Sequence, residues 1–186
     1  MSDGPDLSAL FDAHVADEFV AKDADLTMTT MVADPTVIHV PVITGGRGGP
    51  QVHDFYRDWF IPAWPDDVEL EPLSRTVDGE RVVFEFIVRF THTREMPFWL
   101  PGVPPSGRRV ELPHVVIMGF DGDKVAYEHI YWDQASLLVQ VGLLDPAGLP
   151  LVGADEARAL VDRSTPMNQI IEGAQRTGVK RASHHT

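Results

Sequence analysis

The sequence of 186 residues lacks cysteine, long hydrophobic runs and any excess of basic side chains. Without cysteine there are no disulfides and no thiol nucleophile. No run of about 18 apolar residues exists, as a membrane-spanning helix would require. The start, MSDGPDLSALFDAHVADEF, is acidic where a secretory signal is basic and apolar. We therefore expect a soluble, cytoplasmic protein.

The charge of the chain restricts its partners. Lys and Arg total 15 against 28 Asp and Glu, which gives a formal net charge of -13. Such a chain repels phosphate backbones and anionic membrane surfaces, so neither nucleic acid nor membrane is an expected partner. With 44% hydrophobic residues, the chain is long enough for one domain with a sizeable core.

Helical patterns dominate the first third of the chain. Residues 7–22 carry one apolar stripe, which predicts an amphipathic helix with a polar outer face. A shorter helix is predicted over 25–33. After a short strand, TVIHVPV, a third helix is predicted in QVHDFYRDWFIPAW, where Pro62 and Pro65 end it.

The middle of the chain has the character of β-hairpins. Asp78-Gly79 lies between two β-rich runs, and Asp121-Gly122-Asp123 separates a second pair. Three helices followed by hairpins predict an α+β fold, in which a long antiparallel sheet curves around the helices into a cone.

The last predicted strand, KVAYEHIYWD, carries several candidate catalytic side chains. Alternation places His129, Tyr131 and Asp133 on one face and Glu128 and Trp132 on the other. If the first face lines a pocket, its carboxylate, imidazole and phenol can move protons to and from a carbonyl compound. If the second does, Glu128 is the relevant carboxylate. Asp133 also precedes an apolar helical stripe, where it is a plausible N-terminal cap.

His114 is the most suggestive isolated residue. It interrupts the apolar row of VELPHVVIMGF, and burial among aliphatic side chains favours a neutral imidazole, as a general base requires. The alternative is a core histidine bonded to a backbone carbonyl. The remaining candidates would contact substrate: His39, His92, Tyr56, Trp59 and Trp132.

Several of these segments together resemble a known family. The ending EHIYWDQASLLVQVGLL, together with FIP, FTHT and PGVPPSGRRVELP, resembles the nuclear-transport-factor-2-like superfamily and its SnoaL-like polyketide cyclase branch. The resemblance covers about residues 7–150. It implies a cone-shaped sheet around a deep, mostly apolar pocket, a homodimer, and no cofactor or metal. In cyclase relatives an Asp near the end of the last strand acts as acid and base, and by motif that position is Asp133.

The resemblance favours one function among several. The leading hypothesis is a cofactor-independent cyclase, isomerase or dehydratase, in which Asp133 and His114 move a proton and Tyr131 or His129 stabilises the enolate oxygen. Water activation against an epoxide or ester would use similar groups. A non-catalytic module that binds a small apolar ligand or dimerises is the alternative. A metal-dependent cupin is a further one, because PPSGRRVELPH is similar to part of that barrel's second motif.

The chain divides by this interpretation into a domain over 1–150 and an extension over 151–186. ADEARALVD and STPMNQIIEGAQ are predicted as short helices of the extension. The stretch from about residue 177, with His184 and His185, is predicted to be a disordered tail.

Overall fold

A computed structural model describes residues 4–176, and its first part contains three helices. Their bounds are α1 (Leu7–Ala16), α2 (Ala24–Thr29) and α3 (Gly49–Asp54). Each of these helices has a residue at its N-terminus that is common at helix starts. Asp6 accepts hydrogen bonds from the first backbone N–H groups of α1, and Asp23 does the same for α2. Pro50 occupies the first turn of α3, where its missing N–H costs nothing.

Two of these helices continue into wider, π-helical turns. The first π segment is Asp17–Ala21, directly after α1, and the second is Phe55–Phe60, directly after α3. A short 3₁₀ turn, Ile61–Ala63, follows the second. Such π turns are uncommon and recur at functional sites, because they rotate the side chains that follow relative to a regular helix.

Within residues 4–176, six strands form one curved sheet. They are β1 (Met31–His39), β2 (Thr44–Arg47), β3 (Glu69–Val77), β4 (Arg81–Thr91), β5 (Arg109–Asp121) and β6 (Lys124–Tyr131). Their order in the sheet is β2-β1-β6-β5-β4-β3. Both predicted hairpins are present, with Asp78-Gly79 and Gly122 in their turns. The α+β class is thus confirmed, and a single sheet contradicts the two-sheet barrel of a cupin.

The sheet is mixed rather than wholly antiparallel, which corrects one part of the prediction. Strand β1 pairs in parallel with β6, and every other neighbouring pair is antiparallel. The predicted helix over 25–33 is also shorter, because the chain from Met31 already belongs to β1. Met31 pairs with Val125 of β6, so pairing across the sheet outweighs the helical pattern there.

The helices cover the concave face of the sheet, where the core lies. Phe11 of α1 packs edge-to-face against Phe84 of β4, with ring centroids 5.2 Å apart. Phe60, at the end of the second π segment, packs on Phe98 at 5.0 Å. Alternate residues of β4 and β5 point to this face, as period-two alternation requires.

The C-terminal part of the described chain contacts the sheet at β5. It contains α4 (Gln134–Val141), α5 (Asp155–Val161) and α6 (Gln169–Arg176). Helix α5 packs on β5 and buries Ala157 completely. Ile87, which alternates with the cavity-side residues of β4, is also fully buried. The predicted tail from about residue 177 lies outside the described residues.

No helix within residues 4–176 has the length and apolar character needed to cross a membrane.

Candidate active site

A narrow cavity lies between the helices and the concave face of the sheet. Its volume is about 60 Å³, room for roughly four water molecules. Most of its wall is aromatic or aliphatic, including Phe11, Phe19, Phe55, Phe60, Trp64, Phe84, Phe86, Val88, Trp99, Met118 and Ile130. The polar side chains in the wall are Glu18, His39, Tyr56, His114 and Glu128.

Two carboxylates, a phenol and an imidazole form a buried cluster at this cavity. Nε2 of His14 lies 2.7 Å from Oε1 of Glu128 and 3.4 Å from Oε1 of Glu18. The hydroxyl of Tyr56 donates to Oε1 of Glu128 at 3.1 Å. All four side chains are buried. Glu18, Tyr56 and Glu128 line the cavity, whereas His14 lies behind them.

The two π-helical turns supply two members of this cluster. Glu18 belongs to the first π segment and Tyr56 to the second, while Glu128 comes from β6. Residues 14 and 18 lie four apart on one helical course, so their side chains share a face. The cluster is therefore positioned by three separate elements that meet at the concave face of the sheet.

Thr30 fixes the orientation of the His14 ring. Its hydroxyl donates to the carbonyl of Thr27 at 2.6 Å and so has no second hydrogen to give. Oγ1 of Thr30 lies 2.5 Å from Nδ1 of His14 and must accept the proton on that nitrogen. Nε2 of His14 is thereby directed at the two carboxylates.

The neighbours of His14 control its charge. Burial, the largest influence, lowers the pKa of His14, but the carboxylates of Glu128 and Glu18 outweigh it and raise that pKa to about 10. Burial raises the pKa of Glu18, against the opposing effect of His14. Burial and both carboxylates raise the pKa of Tyr56 well above its usual value. At neutral pH the cluster thus combines an imidazolium, a neutral phenol and carboxyl groups.

Two further histidines lie along the same cavity. Glu128 pairs with Met118 of β5, and His39 pairs with Ile130, two residues along β6 from Glu128. His114 precedes Met118 by four residues on β5. A strand rises about 3.3 Å per residue, so the two-residue offset of His39 places it roughly 7 Å along the strands from Glu128. The four-residue offset of His114 places it roughly 13 Å from Glu128.

His114 is held as a neutral imidazole among aromatic rings. Its ring stacks on Trp99 and Trp132, at centroid distances of 4.7 and 5.6 Å. Nδ1 lies 3.0 Å from the carbonyl oxygen of Leu112, which can only accept, so Nδ1 carries the proton. Burial lowers the pKa of His114 to about 4, against the opposing effect of that hydrogen bond.

His39 is held in a similar way. Thr44 donates its hydroxyl hydrogen to the carbonyl of Phe98 at 2.6 Å, so its oxygen accepts from Nδ1 of His39 at 3.2 Å. Burial, followed by repulsion from His114, lowers the pKa of His39 to about 3.

Three predicted catalytic residues lie away from the cavity. Asp133 is exposed and caps α4, where its Oδ1 accepts from the backbone N–H groups of Ala135 and Ser136. Tyr131 is 40% exposed, and His129, half-buried, packs on Tyr127. The strand instead turns its second face, with Glu128, toward the cavity. Of the predicted catalytic set, the cavity wall contains His114 alone.

The predicted binding residues are similarly divided. His39 and Tyr56 line the cavity. Trp132 packs behind it on His114 and donates to Oε1 of Gln134 at 2.7 Å. Trp59 is exposed and borders a separate surface depression. His92 is fully buried next to Ser106, which lies 3.1 Å from its Nδ1, and takes no part in the cavity wall.

Two members of the cluster, His14 and Glu18, were not predicted from the sequence. The predicted stripe of α1 consisted of apolar residues only and left both on the outer face. A signal was present, because Leu7, Phe11, His14 and Glu18 follow one another at helical spacings of four, three and four residues. A buried His and Glu at the end of such a stripe indicate a site.

The same cluster has the composition of a metal site. His14, Glu18 and Glu128 each offer one ligand atom, and the three atoms lie within 4.8 Å of one another. Imidazole and carboxylate ligands suit Zn²⁺ or another first-row divalent ion. The sequence predicted no metal, and these contacts leave that prediction untested.

Comparison with known proteins identifies the family. The sequence signature of the SnoaL-like domain matches residues 11–128, more than half of the chain. The chain belongs to the SnoaL-like domain family. This confirms the resemblance drawn from the sequence. No curated protein matches this SnoaL-like chain.

Solved structures share the fold at low sequence identity. A protein assigned as a SnoaL-like polyketide cyclase from Jannaschia is 19% identical, with a TM-score of 0.55, and the match covers 78% of this chain and 100% of that one. A protein with a ketosteroid isomerase-like fold from Catenulispora acidiphila, in complex with trimethylamine, is 16% identical, with a TM-score of 0.55, and the match covers 76% of this chain and 95% of that one. AclR from Streptomyces galilaeus, assigned as a hydroxylase, is 21% identical over 74% and 85%, with a TM-score of 0.54.

Proposed function

We propose that this SnoaL-like protein transfers protons, without a cofactor, on a small and largely apolar carbonyl compound, as an isomerase, dehydratase or cyclase does. One observation carries the proposal: Glu18, Glu128 and Tyr56 together line a cavity whose wall is mostly aromatic and aliphatic. In such surroundings a positioned carboxylate is an effective general base, and a nearby acid can return the proton.

In this proposal each side chain of the cluster has its own role. Glu128 is the base that removes a proton beside the carbonyl. Glu18, whose pKa burial raises, is the acid that protonates the substrate oxygen or a leaving hydroxyl. Tyr56 positions Glu128 through its hydrogen bond, and His14 holds both carboxylates from behind. The acid-base role thus moves from Asp133, which caps a helix, to Glu128 on the opposite face of the same segment.

The proton transfer can be tested without the natural substrate. Exchange of the α-protons of 2-indanone and 2-tetralone in D₂O, followed by NMR, reports proton removal beside a carbonyl. We expect the wild-type protein to accelerate exchange, and Glu128→Gln to lower that acceleration by about 10²- to 10⁴-fold, the usual contribution of a general base.

A matched control separates the site from general effects of charge. Glu85→Gln removes a carboxylate from β4 that is bonded to Ser74, outside the cavity, and should leave exchange unchanged. The proposal fails if the wild-type protein does not accelerate exchange, or if Glu128→Gln exchanges as fast as Glu85→Gln.

Ligand binding without catalysis is the second candidate. Two observations favour it: Asp133 acts as a helix cap, and Nδ1 of His114 is hydrogen-bonded to a backbone carbonyl. The related protein from Catenulispora acidiphila, solved with trimethylamine, also supports a small-molecule ligand. This candidate predicts that Glu128→Gln leaves ligand affinity intact and that no carbonyl compound exchanges its protons.

We also propose that the protein forms a homodimer. Exposed apolar side chains on the C-terminal helices and in the connection between α5 and α6 support association, namely Leu160, Val161, Met167 and Ile171. Contact between two copies would remove this surface from water.

A further inference from the structure

Three buried polar atoms at the cavity lack a partner among the described residues. They are Nε2 of His114 and the indole Nε1 atoms of Trp64 and Trp99. All three side chains line the cavity and are at most 3% exposed. Unpaired buried polar atoms are rare in native proteins because each loses its hydrogen bonds to water. The three side chains that carry these atoms line one cavity, which favours a bound group as their hydrogen-bond partner.

The chemistry of these atoms defines the group. Nδ1 of His114 gives its proton to Leu112, so the neutral ring offers only the lone pair of Nε2. An indole N–H can only donate. Trp99 stacks on His114, with centroids 4.7 Å apart, and Trp64 lies against Trp99 at 5.0 Å. The neighbourhood therefore contains one acceptor and two donors.

We propose that this part of the cavity, the His114 subsite, binds a hydroxyl group of the ligand. A hydroxyl donates one hydrogen bond and accepts others, so a single group completes His114 and an indole together. A ketone or ether oxygen leaves His114 unpaired, and a methyl group leaves all three atoms unpaired. His39, fixed as the same tautomer by Thr44, offers a second acceptor for a ligand with two hydroxyls or an N–H group.

The His114 subsite extends the proposed function. Which part of the substrate it binds rests on that proposed function. The subsite lies roughly 13 Å along the strands from the level of Glu128. A substrate that reaches both would thus carry its hydroxyl at the end remote from the carbon that loses a proton. The aromatic walls between them suit a flat molecule.

Phenol and toluene form a matched pair of probes, since they differ by a hydroxyl in place of a methyl group. Their affinities can be measured by ligand-observed NMR. We expect the wild-type protein to bind phenol at least about fivefold more tightly, because toluene leaves the buried polar atoms unpaired. His114→Phe, which keeps a flat ring between Trp99 and Trp132, should reduce this preference to less than about twofold.

His92→Phe is the control, because His92 is equally buried and has an unpaired Nε2 but lies outside the cavity wall. It should retain the preference for phenol. Equal affinity for the two probes in the wild-type protein, including the failure of both to bind, overturns the proposal. An unchanged preference in His114→Phe overturns it as well.

A second measurement needs no variant. The ¹⁵N resonance of His114 Nε2 should have the shift of an unprotonated nitrogen and should move when phenol, but not toluene, is added. A protonated Nε2, or one that phenol does not move, contradicts the proposal. Neither probe has a proton beside a carbonyl, so the preference for phenol can be observed even if the proposed catalysis fails.

Discussion

At the scale of single residues, three buried histidines of this domain differ in charge because their neighbours differ. Nε2 of His14 faces two carboxylates, and its pKa is raised to about 10. His39 and His114 have only aromatic rings, a hydroxyl and a carbonyl beside them, and burial lowers their pKa values to about 3 and 4. The same side chain is thus a fixed cation in the cluster and a neutral acceptor in the cavity.

This difference predicts a dependence of stability on pH. In the unfolded chain a histidine takes up a proton below about pH 6.5. Folded His114 remains neutral until about pH 4, so the unfolded state binds more protons in between, and stability falls as pH falls through that window. We expect the neutral state of folded His114 to make the free energy of unfolding about 2 kcal/mol lower at pH 5 than at pH 7. Urea titrations followed by tryptophan fluorescence measure it.

His114→Phe provides the comparison. Its unfolding free energy should change less between the two pH values, by the amount that His114 contributes. The comparison between variants is needed because burial raises the pKa values of Glu18 and Glu156, which stabilises the folded state in acid. Equal pH dependence in the two proteins would show that His114 is charged or accessible in the folded state.

The sequence predicted only some of the residues that line the cavity. His114 was recognised because one polar residue interrupted an apolar row, and the alternative of Glu128 was recognised by alternation. The choice between the two faces of β6 could not be made, because it depends on a bulge beside Gly119 and Phe120 and on which helices cover the sheet. The Trp99 ring, which comes from a Pro-rich loop, had no periodic signal at all.

At the scale of elements, helix α4 depends on its first residue. Asp133 satisfies two backbone N–H groups that otherwise lack partners within the helix. We expect Asp133→Ala to lower the free energy of unfolding by about 1 kcal/mol, the usual cost of a lost N-terminal cap, and to leave proton exchange unchanged. Urea unfolding and the 2-indanone assay measure the two quantities.

Asp133→Ser is the control, because serine is also a good cap and should recover most of that stability. A loss of exchange activity in both variants, with stability retained, would return Asp133 to the catalytic role that the sequence first suggested.

Element types were more predictable than element ends. Turn residues with a defined backbone preference located both hairpins, since Asp-Gly favours tight turns wherever it occurs. The π-helical turns were not predicted, because helix propensity does not distinguish a π turn from a regular helical turn. These turns carry Glu18 and Tyr56, so the part of the helices that was not predicted bears two of the four members of the cluster.

At the scale of the whole molecule, the exposed apolar surface of the C-terminal helices bears on assembly. If the protein is a homodimer through this surface, sedimentation should give twice the mass of one chain, and Met167→Glu with Ile171→Glu should give a single chain. Val20→Glu is the control, since Val20 is 81% exposed and belongs to the first π segment rather than to this surface. A single-chain mass for the wild-type protein would contradict the dimer.

The parallel pair of β1 and β6 has a consequence for how the chain is made. A ribosome releases β1 early and β6 nearly a hundred residues later, and synthesis at about 5–20 residues per second leaves several seconds between them. During that interval β1 has the short β2 as its one strand neighbour among the described residues, and Glu128 has not yet met His14. Long-range pairing of this kind also slows folding. The buried cluster of His14, Glu18, Tyr56 and Glu128 is therefore among the last parts of the domain to form, and a chain stalled before β6 exposes the aromatic wall of the cavity.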